Sequence, residues 1–206
     1  TADKLIKKLI PRVEALKIGP YTSGEDVDFG PVITAASKAN IENLVQTGID
    51  QGASLVVDGR GFKLQGYEDG FFVGAHLFDN VTTDMDIYKK EIFGPVLSTV
   101  RAKTYEEAIQ MAIDHEYGNG TSIFTRDGDT ARDFSNRINI GMVGVNVPIP
   151  VPLAYHTFGG WKKSMFGDLN QHGPDAFKFF TRTKTITSRW PSGIKEGGEF
   201  SIPVME

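Results

Sequence analysis

Three things are missing from this chain, and each absence excludes a class of protein. It contains no cysteine among its 206 residues, so the chain itself can form no disulfide, no thiolate metal site and no cysteine-based covalent catalyst. No apolar run approaches the roughly 20 residues that a helix needs to cross a bilayer. No basic cluster stands out, and 22 lysine and arginine residues against 26 aspartate and glutamate residues give a net charge of -4. The sequence therefore disfavours both nucleic acid and membrane as partners.

The composition is that of an ordinary globular protein. Hydrophobic residues make up 40% and charged residues 23% of the chain, which favours neither disorder nor a membrane class. A length of 206 residues suits one domain, or one domain with an appendage. Residues 1–10 are amphipathic and do not form the apolar core of a signal peptide. We expect a cytoplasmic location, which a targeting segment upstream of residue 1 would change.

Helical periodicity begins at the amino terminus. Apolar residues recur there at helical spacing, Leu5, Leu9, Val13 and Leu16, and Ile6 and Ile10 flank them. Pro11 lies inside this pattern and has no backbone N–H, so we expect a kinked helix or two short helices, ended by the Gly-Pro pair at 19–20. Thr34 is predicted to cap a second helix, which Gly52 ends.

Short apolar segments alternate with further helices along the middle of the chain. The predicted strands are residues 55–57, 71–78, 95–100, 121–125 and 142–145. The predicted helices are residues 104–115 and 129–139, and Thr104 with Glu107 would begin the first of them as a capping box. This alternation predicts an α/β fold, in which an open, parallel, twisted sheet carries helices on both faces.

The last part of the chain has a different character. A proline-rich loop follows Asn146, which we expect to hold that loop through side-chain hydrogen bonds. Residues 181–190 alternate threonine with basic residues, which is typical of an edge strand that pairs with another chain. We therefore divide the chain into a main domain at 1–173, a terminal segment with an oligomerisation strand at 174–190, and a tail at 191–206.

Four motifs resemble those of one enzyme family. They are Lys-Lys-Glu-Ile-Phe-Gly-Pro-Val at 89–96, Gly-Met-Val-Gly-Val-Asn at 141–146, Phe-Gly-Gly-Trp-Lys at 158–162, and Thr-Arg-Thr-Lys-Thr-Ile-Thr at 181–187. In order and spacing they are similar to motifs of the NAD(P)-dependent aldehyde dehydrogenases. Within that family, residues 146–158 and 166–173 most resemble the CoA-acylating methylmalonate-semialdehyde type.

This resemblance implies a partial catalytic domain that works with NAD as cofactor and coenzyme A as co-substrate. The family oxidises an aldehyde held on a cysteine thiolate, and the acylating type passes the acyl group to coenzyme A. By the same resemblance, residue 1 follows the loop of that cysteine. We therefore expect a carboxyl-terminal fragment that contains no catalytic residue and is inactive alone. The expected partners are a small aldehyde and further copies of the chain, as a dimer or tetramer in the full enzyme.

Glu91 and Phe93 are the candidate cofactor-binding residues. A carboxylate before a Phe-Gly-Pro turn can accept hydrogen bonds from both hydroxyls of a ribose, and by resemblance Glu91 does so on the nicotinamide ribose. Phe93 can lie against the nicotinamide ring, because the turn at Gly94 and Pro95 would keep it at the edge of the next strand. Without the motif, the ordinary interpretations would be an ion-paired glutamate beside two lysines and a core phenylalanine.

Three residues of the proline-rich loop are candidates for the substrate pocket. By resemblance, Phe158 lies in the substrate tunnel, while Tyr155 and His156 border the entrance for the acyl group or coenzyme A. Packing is almost as good an interpretation of Phe158. A lone histidine in a loop is more often a surface residue than a general base, so His156 carries no catalytic assignment. The other histidines lack ligand-like spacing, and we assign no metal site.

Two other functions remain open on the sequence. One is an aldehyde dehydrogenase that uses water as the acyl acceptor and differs only in the last step. The other is a non-catalytic module that uses its edge strand to bind aldehyde dehydrogenase subunits or itself. The sequence upstream of residue 1 would separate the module from an enzyme, and product analysis with and without coenzyme A would separate the two acceptors.

Overall fold

Helices and strands alternate through most of the chain. The computed structural model describes residues 1–24, 26–188 and 190, so the predicted tail at 191–206 lies outside the described residues. The α-helices are α1 (Ala2–Glu14), α2 (Ala35–Asp50), α3 (Asp86–Lys89), α4 (Tyr105–Asp114), α5 (Gly128–Arg137) and α6 (Ala176–Phe180). The strands are β1 (Ser54–Val57), β2 (His76–Val81), β3 (Val96–Val100), β4 (Tyr117–Gly118), β5 (Gly120–Ile123), β6 (Met142–Val145) and β7 (Trp161–Lys162). Short 3₁₀ turns cover Tyr21–Ser23 and Gly173–Asp175.

Two pairs of strands are parallel, and a helix connects the strands of each pair. β2 pairs in parallel with β3 across α3, and β5 pairs in parallel with β6 across α5. β1 instead pairs antiparallel with β2, with Leu55 opposite Phe78, and β4 pairs antiparallel with β7. A parallel neighbour requires a crossover, usually a helix, and the described connection from β1 to β2 contains none. The predicted α/β class is confirmed, with an antiparallel strand added at one edge of the three-stranded sheet.

The first helix differs from its prediction in its end. The sequence predicts a kinked or divided helix that ends near Gly19, but α1 forms one helix through Pro11 and ends at Glu14. Pro11 and Lys7, whose carbonyl loses its N–H partner, are both exposed, so water can hydrate the free carbonyl. Ile6 is the buried residue of α1, whereas Leu5 is 52% exposed. The buried side of α1 thus contains Ile6 with the half-buried Leu9, Ile10 and Val13, and Leu5 lies outside it.

Two buried clusters each support one of the parallel strand pairs. Val45 of α2, Phe78 of β2 and Ile87 of α3 belong to the first cluster, against which β3 packs. Gly48 lets α2 and α3 approach closely, because a Cβ there would lie 2.7 Å from Ile87 Cδ1. The second cluster packs against β5 and β6 and consists of Ile109, Phe134, Ile138 and Ile140.

Side-chain caps begin α2 and α4. Thr34 Oγ1 accepts a hydrogen bond from Ser37 N at 3.0 Å, and Thr104 Oγ1 accepts one from Glu107 N at 3.1 Å, as predicted. The Glu107 carboxylate, however, accepts from Lys103 N at 2.7 Å and not from Thr104 N. The capping box of α4 is therefore shifted by one residue on its glutamate side.

The last part of the chain is mostly irregular. Asn146, at a φ of 58°, pairs its carboxamide with the N–H and the carbonyl of Thr125 at 2.9 and 3.0 Å, and so holds the start of the proline-rich loop as predicted. Residues 181–188 are exposed and form no strand in the part of the chain that the structure describes. An edge strand needs a neighbouring strand for its backbone groups, so a single chain does not complete it. The domain division stays a prediction.

One buried carboxylate ties α1 to the three-stranded sheet. Asp79 of β2 is 5% exposed and accepts hydrogen bonds from Arg101 Nε at 3.0 Å and Nη2 at 2.6 Å. Thr99 Oγ1 lies 3.0 Å from the same carboxylate. Arg101 also forms an ion pair with Asp3 of α1 at 2.7 Å. The hydrogen bonds from Arg101 lower the pKa of Asp79 to about 2.

We predict that Asp79 makes the stability of the chain depend on pH in acid. Because its pKa is lowered from 3.8 to about 2, its stabilisation is present above 3.8 and is lost as the pH falls through that value toward 2. The shift corresponds to roughly 2 kcal/mol of unfolding free energy. In urea unfolding, the wild type should lose stability more steeply over this range than Asp79→Asn does. Asp129→Asn, which removes an exposed carboxylate, should follow the wild type. Equal slopes for the wild type and Asp79→Asn would contradict the prediction.

Candidate functional site

The turn that enters β3 presents Phe93 to solvent. Phe93 has a φ of 54°, in the left-handed region, and is 80% exposed. At Gly94 a Cβ would lie 2.6 Å from Ile41 Cδ1, so the backbone packs directly on α2. On the other side, Ile92 packs against the first buried cluster. Both neighbours face inward, and Phe93 is forced outward at a backbone angle that costs a residue with a Cβ roughly 1–2 kcal/mol.

Glu91 lies in the same segment, and the neighbouring lysines do not occupy its carboxylate. Lys90 forms an ion pair with Asp86 at 2.8 Å, and Lys89 Nζ donates to the Asp84 carbonyl at 2.7 Å. Within the described residues, the exposed Glu91 carboxylate accepts no hydrogen bond and forms no ion pair. The ion-paired interpretation is therefore not realised, and the carboxylate is free to accept hydrogen bonds from a ligand.

A cavity of about 550 Å³ lies beside Glu91. Its other lining residues come from the ends of α3 and α4, from β4 and from the segment after β7: Tyr88, Lys89, Lys90, His115, Tyr117, Asn119, Lys163 and Ser164. Burial raises the pKa of the Tyr88 phenol, whose hydroxyl donates to the Met111 carbonyl at 3.2 Å. Sequence reasoning identifies Glu91 alone among these residues, because nothing in the linear sequence marks the proximity of the other segments.

Phe158 is fixed by contact with His172. Their rings are stacked, with centroids 4.3 Å apart and an interplanar angle of 20°. Thr157 Oγ1 donates to the His172 carbonyl at 3.3 Å. Gly159 packs on Asn170, whose Oδ1 would lie 1.8 Å from a Cβ at that position. The segment at 170–172 therefore closes the loop that carries Phe158, a contact that the sequence does not mark.

Tyr155 and His156 are exposed parts of the same loop. Tyr155 is 69% exposed, and the centroids of its ring and of the His156 ring are 5.0 Å apart. The backbone N–H of His156 donates to the Leu153 carbonyl at 2.9 Å. Tyr155, His156 and Phe158 do not line the cavity beside Glu91. The structure thus places the cofactor candidates in one segment and the substrate candidates in another, and the substrate assignment stays a prediction.

Lys162 joins the loop of Phe158 to the end of α4. Its Nζ donates to the carbonyls of Ala112, Ile113 and His115 at 3.1, 2.7 and 2.9 Å. Carbonyls at the end of a helix have no partner within the helix, so the lysine acts as a side-chain cap for α4. The Phe-Gly-Gly-Trp-Lys motif therefore attaches the loop to one wall of the cavity.

Among the described residues, no three His, Asp or Glu side chains are grouped so that they could hold a metal ion. None of the described helices combines the length and the apolar character required to span a membrane. The candidate site rests on Glu91 with the cavity beside it and on the exposed Phe93 two residues further on.

The family of the chain follows from comparison with known proteins. The sequence profile of the aldehyde dehydrogenase family matches residues 1–186. The chain belongs to the aldehyde dehydrogenase family, as its four motifs predict.

The relatives of this chain within the family include enzymes named for semialdehydes. A malonate-semialdehyde dehydrogenase of Pseudomonas aeruginosa is 58% identical over 98% of this chain and 41% of its own length. A bovine mitochondrial methylmalonate-semialdehyde/malonate-semialdehyde dehydrogenase, described as acylating, is 45% identical over 99% of this chain and 37% of its own length. The chain thus spans well under half the length of these relatives.

Solved structures of the family share the fold. A structure from Sinorhizobium meliloti 1021, described as a methylmalonate-semialdehyde dehydrogenase complexed with NAD, is 70% identical with a TM-score of 0.88, over 95% of this chain and 40% of that one. An aldehyde dehydrogenase of Mycobacterium tuberculosis complexed with NAD+ is 33% identical with a TM-score of 0.78, over 87% of this chain and 36% of that one. The structural likeness therefore extends beyond the semialdehyde enzymes.

We predict that the conformation of Phe93 is a cost to folding. Phe93→Gly should be more stable than Phe93→Ala by about 1 kcal/mol, because glycine adopts a positive φ without a Cβ clash. Loss of buried side-chain area contributes little to this stability difference, since Phe93 is 80% exposed. Urea unfolding of both variants measures the difference. Tyr21 is a matched control, because it is 91% exposed at an ordinary φ, and there the glycine variant should be the less stable one. The same order at both positions would contradict the prediction.

Proposed function

We propose that this chain supplies one wall of the cofactor site in a CoA-acylating, NAD-dependent malonate- or methylmalonate-semialdehyde dehydrogenase. The observation that carries the proposal is the segment at 91–93, where Phe93 is forced outward beside the free carboxylate of Glu91. The names of the relatives support the substrate and the acylating step. The NAD complexes among the similar structures support the cofactor.

The exposed groups of this segment fit the nicotinamide end of NAD. A carboxylate without internal partners can accept hydrogen bonds from both hydroxyls of a ribose, which is the role we propose for Glu91. The ring of Phe93 offers an apolar face to a planar heterocycle and does not compete for hydride. Since Ile92 and Gly94 pack inward, the backbone that carries the two side chains is held against the interior. NAD, when bound, accepts the hydride that leaves the aldehyde carbon.

The acyl side of the proposed reaction depends on residues from outside this chain. The chain contains no cysteine, so the thiolate that adds to the aldehyde and carries the acyl group as a thioester lies elsewhere in the complete protein. Transfer of that acyl group to the thiol of coenzyme A gives the acyl-CoA, with loss of carbon dioxide for a malonate-type substrate. We propose that Phe158, Tyr155 and His156 border the entrance for the acyl group or coenzyme A.

Oligomerisation and location belong to the same proposal. Residues 181–188 are exposed and without strand pairing in the described part of the chain. We infer that they pair with a sheet of a neighbouring copy in a dimer or tetramer, because an unpaired edge favours strand addition. A cytoplasmic location stays a prediction, and the bovine relative is described as mitochondrial.

Glu91→Gln tests the cofactor role in the complete protein that contains this chain. The substitution removes the charge and keeps the shape, so the fold should not change. The dissociation constant of NAD should rise, or hydride transfer should slow, by about tenfold, because hydrogen bonds to a charged group contribute roughly 1.5–3 kcal/mol. Nucleotide titration and stopped-flow measurement of NADH formation report the two quantities. Glu14→Gln, at an exposed position in α1, is the matched control. If both quantities match the wild type in Glu91→Gln, the ribose role is wrong.

Product analysis tests the acylating step. The chain alone should form no NADH from either semialdehyde, because it has no residue that can serve as the thiolate nucleophile. In the complete protein, acyl-CoA should form when coenzyme A is present. Free acid as the product in the presence of coenzyme A would favour the alternative in which water is the acyl acceptor. NADH formation by the isolated chain would falsify the assignment of the nucleophile to another part of the protein.

A further inference from the structure

His115 lies where the two candidate segments of the site meet. Its ring packs edge-on against Tyr88 with centroids 5.0 Å apart, and its centroid lies 6.0 Å from that of Tyr117. It lines the cavity beside Glu91. His115 belongs to none of the family motifs identified in the sequence, and neither the cofactor role of Glu91 nor that of Phe93 requires it. Its contacts nevertheless connect Tyr88, shortly before Glu91, with Lys162 of the Phe158 motif.

Both ring nitrogens of His115 contact backbone groups. Tyr117 N–H donates to Nδ1 at 3.1 Å, so Nδ1 is an unprotonated acceptor. Nε2 lies 3.4 Å from the Tyr88 carbonyl, an acceptor, and must therefore carry the proton and donate it. The two contacts together define one neutral tautomer. The imidazole therefore bridges the Tyr117 N–H of β4 and the Tyr88 carbonyl of α3.

The Tyr88 carbonyl lacks a partner within its own helix. α3 extends only from Asp86 to Lys89, and the carbonyls of a last helical turn have no intrahelical donor. The N–H of Lys90 is already used, because it donates to the Asp86 carbonyl at 2.8 Å. The donor from His115 therefore satisfies a backbone group that comes shortly before Glu91 in the chain. Fixing that carbonyl fixes the direction in which the chain enters the segment at 91–93.

The main chain of His115 is attached to the other candidate segment. Its carbonyl accepts from Lys162 Nζ at 2.9 Å, and its N–H donates to the Met111 carbonyl at 3.2 Å. Lys162 ends the motif that begins with Phe158. The ring of His115 thus contacts Tyr88, three residues before Glu91, while its backbone carbonyl contacts Lys162 at the end of the Phe158 motif. A substitution at this position removes the first contact and leaves the second in place.

We propose that His115 is a positioning residue, which holds the Tyr88 carbonyl through Nε2 and thereby sets the position of Glu91 relative to the loop of Phe158. This inference rests on the proposed function, because NAD binding at Glu91 is what the positioning serves. His115 acts through the backbone of Tyr88, so its loss affects the binding of NAD and the transfer of hydride. The aldehyde side is unaffected, since the backbone contact to Lys162 remains.

A pair of substitutions separates the two ring contacts. A glutamine amide can place its N–H near the position of Nε2, whereas the shorter asparagine can place its oxygen only near Nδ1. In the complete protein, His115→Asn should raise the dissociation constant of NAD or slow hydride transfer about fivefold, the loss expected for one hydrogen bond. His115→Gln should stay within about twofold of the wild type. The KM for the aldehyde should not change in either variant.

Amide hydrogen exchange across residues 88–93 provides a readout that does not depend on turnover. Exchange there should accelerate in His115→Asn and stay near the wild-type rate in His115→Gln. His115→Phe keeps the ring packing and removes both nitrogens, so its exchange should resemble that of His115→Asn. If calorimetry shows that His115→Asn does not fold, His115→Phe takes its place in the comparison. The proposal would be overturned if His115→Gln and His115→Asn showed equal exchange rates, or if His115→Asn were closer to the wild type. The ring would then serve only the contact with Tyr117.

Glu91→Gln, measured alongside, distinguishes failure of the inference from failure of the proposed function. An unimpaired Glu91→Gln together with faster exchange in His115→Asn means that the positioning contact exists but the cofactor role of Glu91 is wrong, which overturns the functional part of the inference. An impaired Glu91→Gln together with wild-type exchange and kinetics in all three His115 variants means that the cofactor role stands and the positioning role is wrong.

Discussion

The contact between Gly94 and Ile41 is the constraint on which the candidate site depends. No Cβ fits at Gly94, so the strand entrance lies directly on α2, and the chain enters β3 through a left-handed turn at Phe93. Ile92, directly before that turn, packs against the cluster that α2 and α3 form around Phe78, and such surrounding packing is what holds a strained residue in place. An exposed phenylalanine is thus a product of core packing. In the segment that we assign to NAD, the residues on either side of Phe93 pack against the interior.

Helix ends provide the second set of constraints. The end of α3 is satisfied by His115, and the end of α4 is satisfied by Lys162. Each donor comes from a segment distant in sequence, so two backbone requirements are met by contacts that also join the walls of one cavity. In this part of the molecule, the contacts that satisfy backbone carbonyls are also the contacts that join the walls of the cavity. This coupling is why residues without any ligand-binding chemistry of their own can influence the site.

The order of helices and strands could be read largely from local pattern, since helical caps and short apolar segments involve neighbouring residues. Thr34 and Thr104 begin their helices as predicted, because a cap needs only the N–H group three residues further on. Local pattern did not predict a strand pairing that depends on a distant segment. The antiparallel pairing of β1 with β2 depends on which strand lies across from β1, and nothing within residues 54–57 specifies it.

The sequence by itself determined the family, the α/β class and the two cofactor candidates, because the motif around Glu91 and Phe93 is contiguous and its turn chemistry is local. Only the tertiary structure decided why Phe93 faces outward, that the lysines beside Glu91 are engaged elsewhere, and that His115 and Lys162 meet the ends of two helices. Each of these depends on distances between segments far apart in the chain. Such distances follow from packing and backbone satisfaction across the whole fold, and no local pattern of residues encodes them.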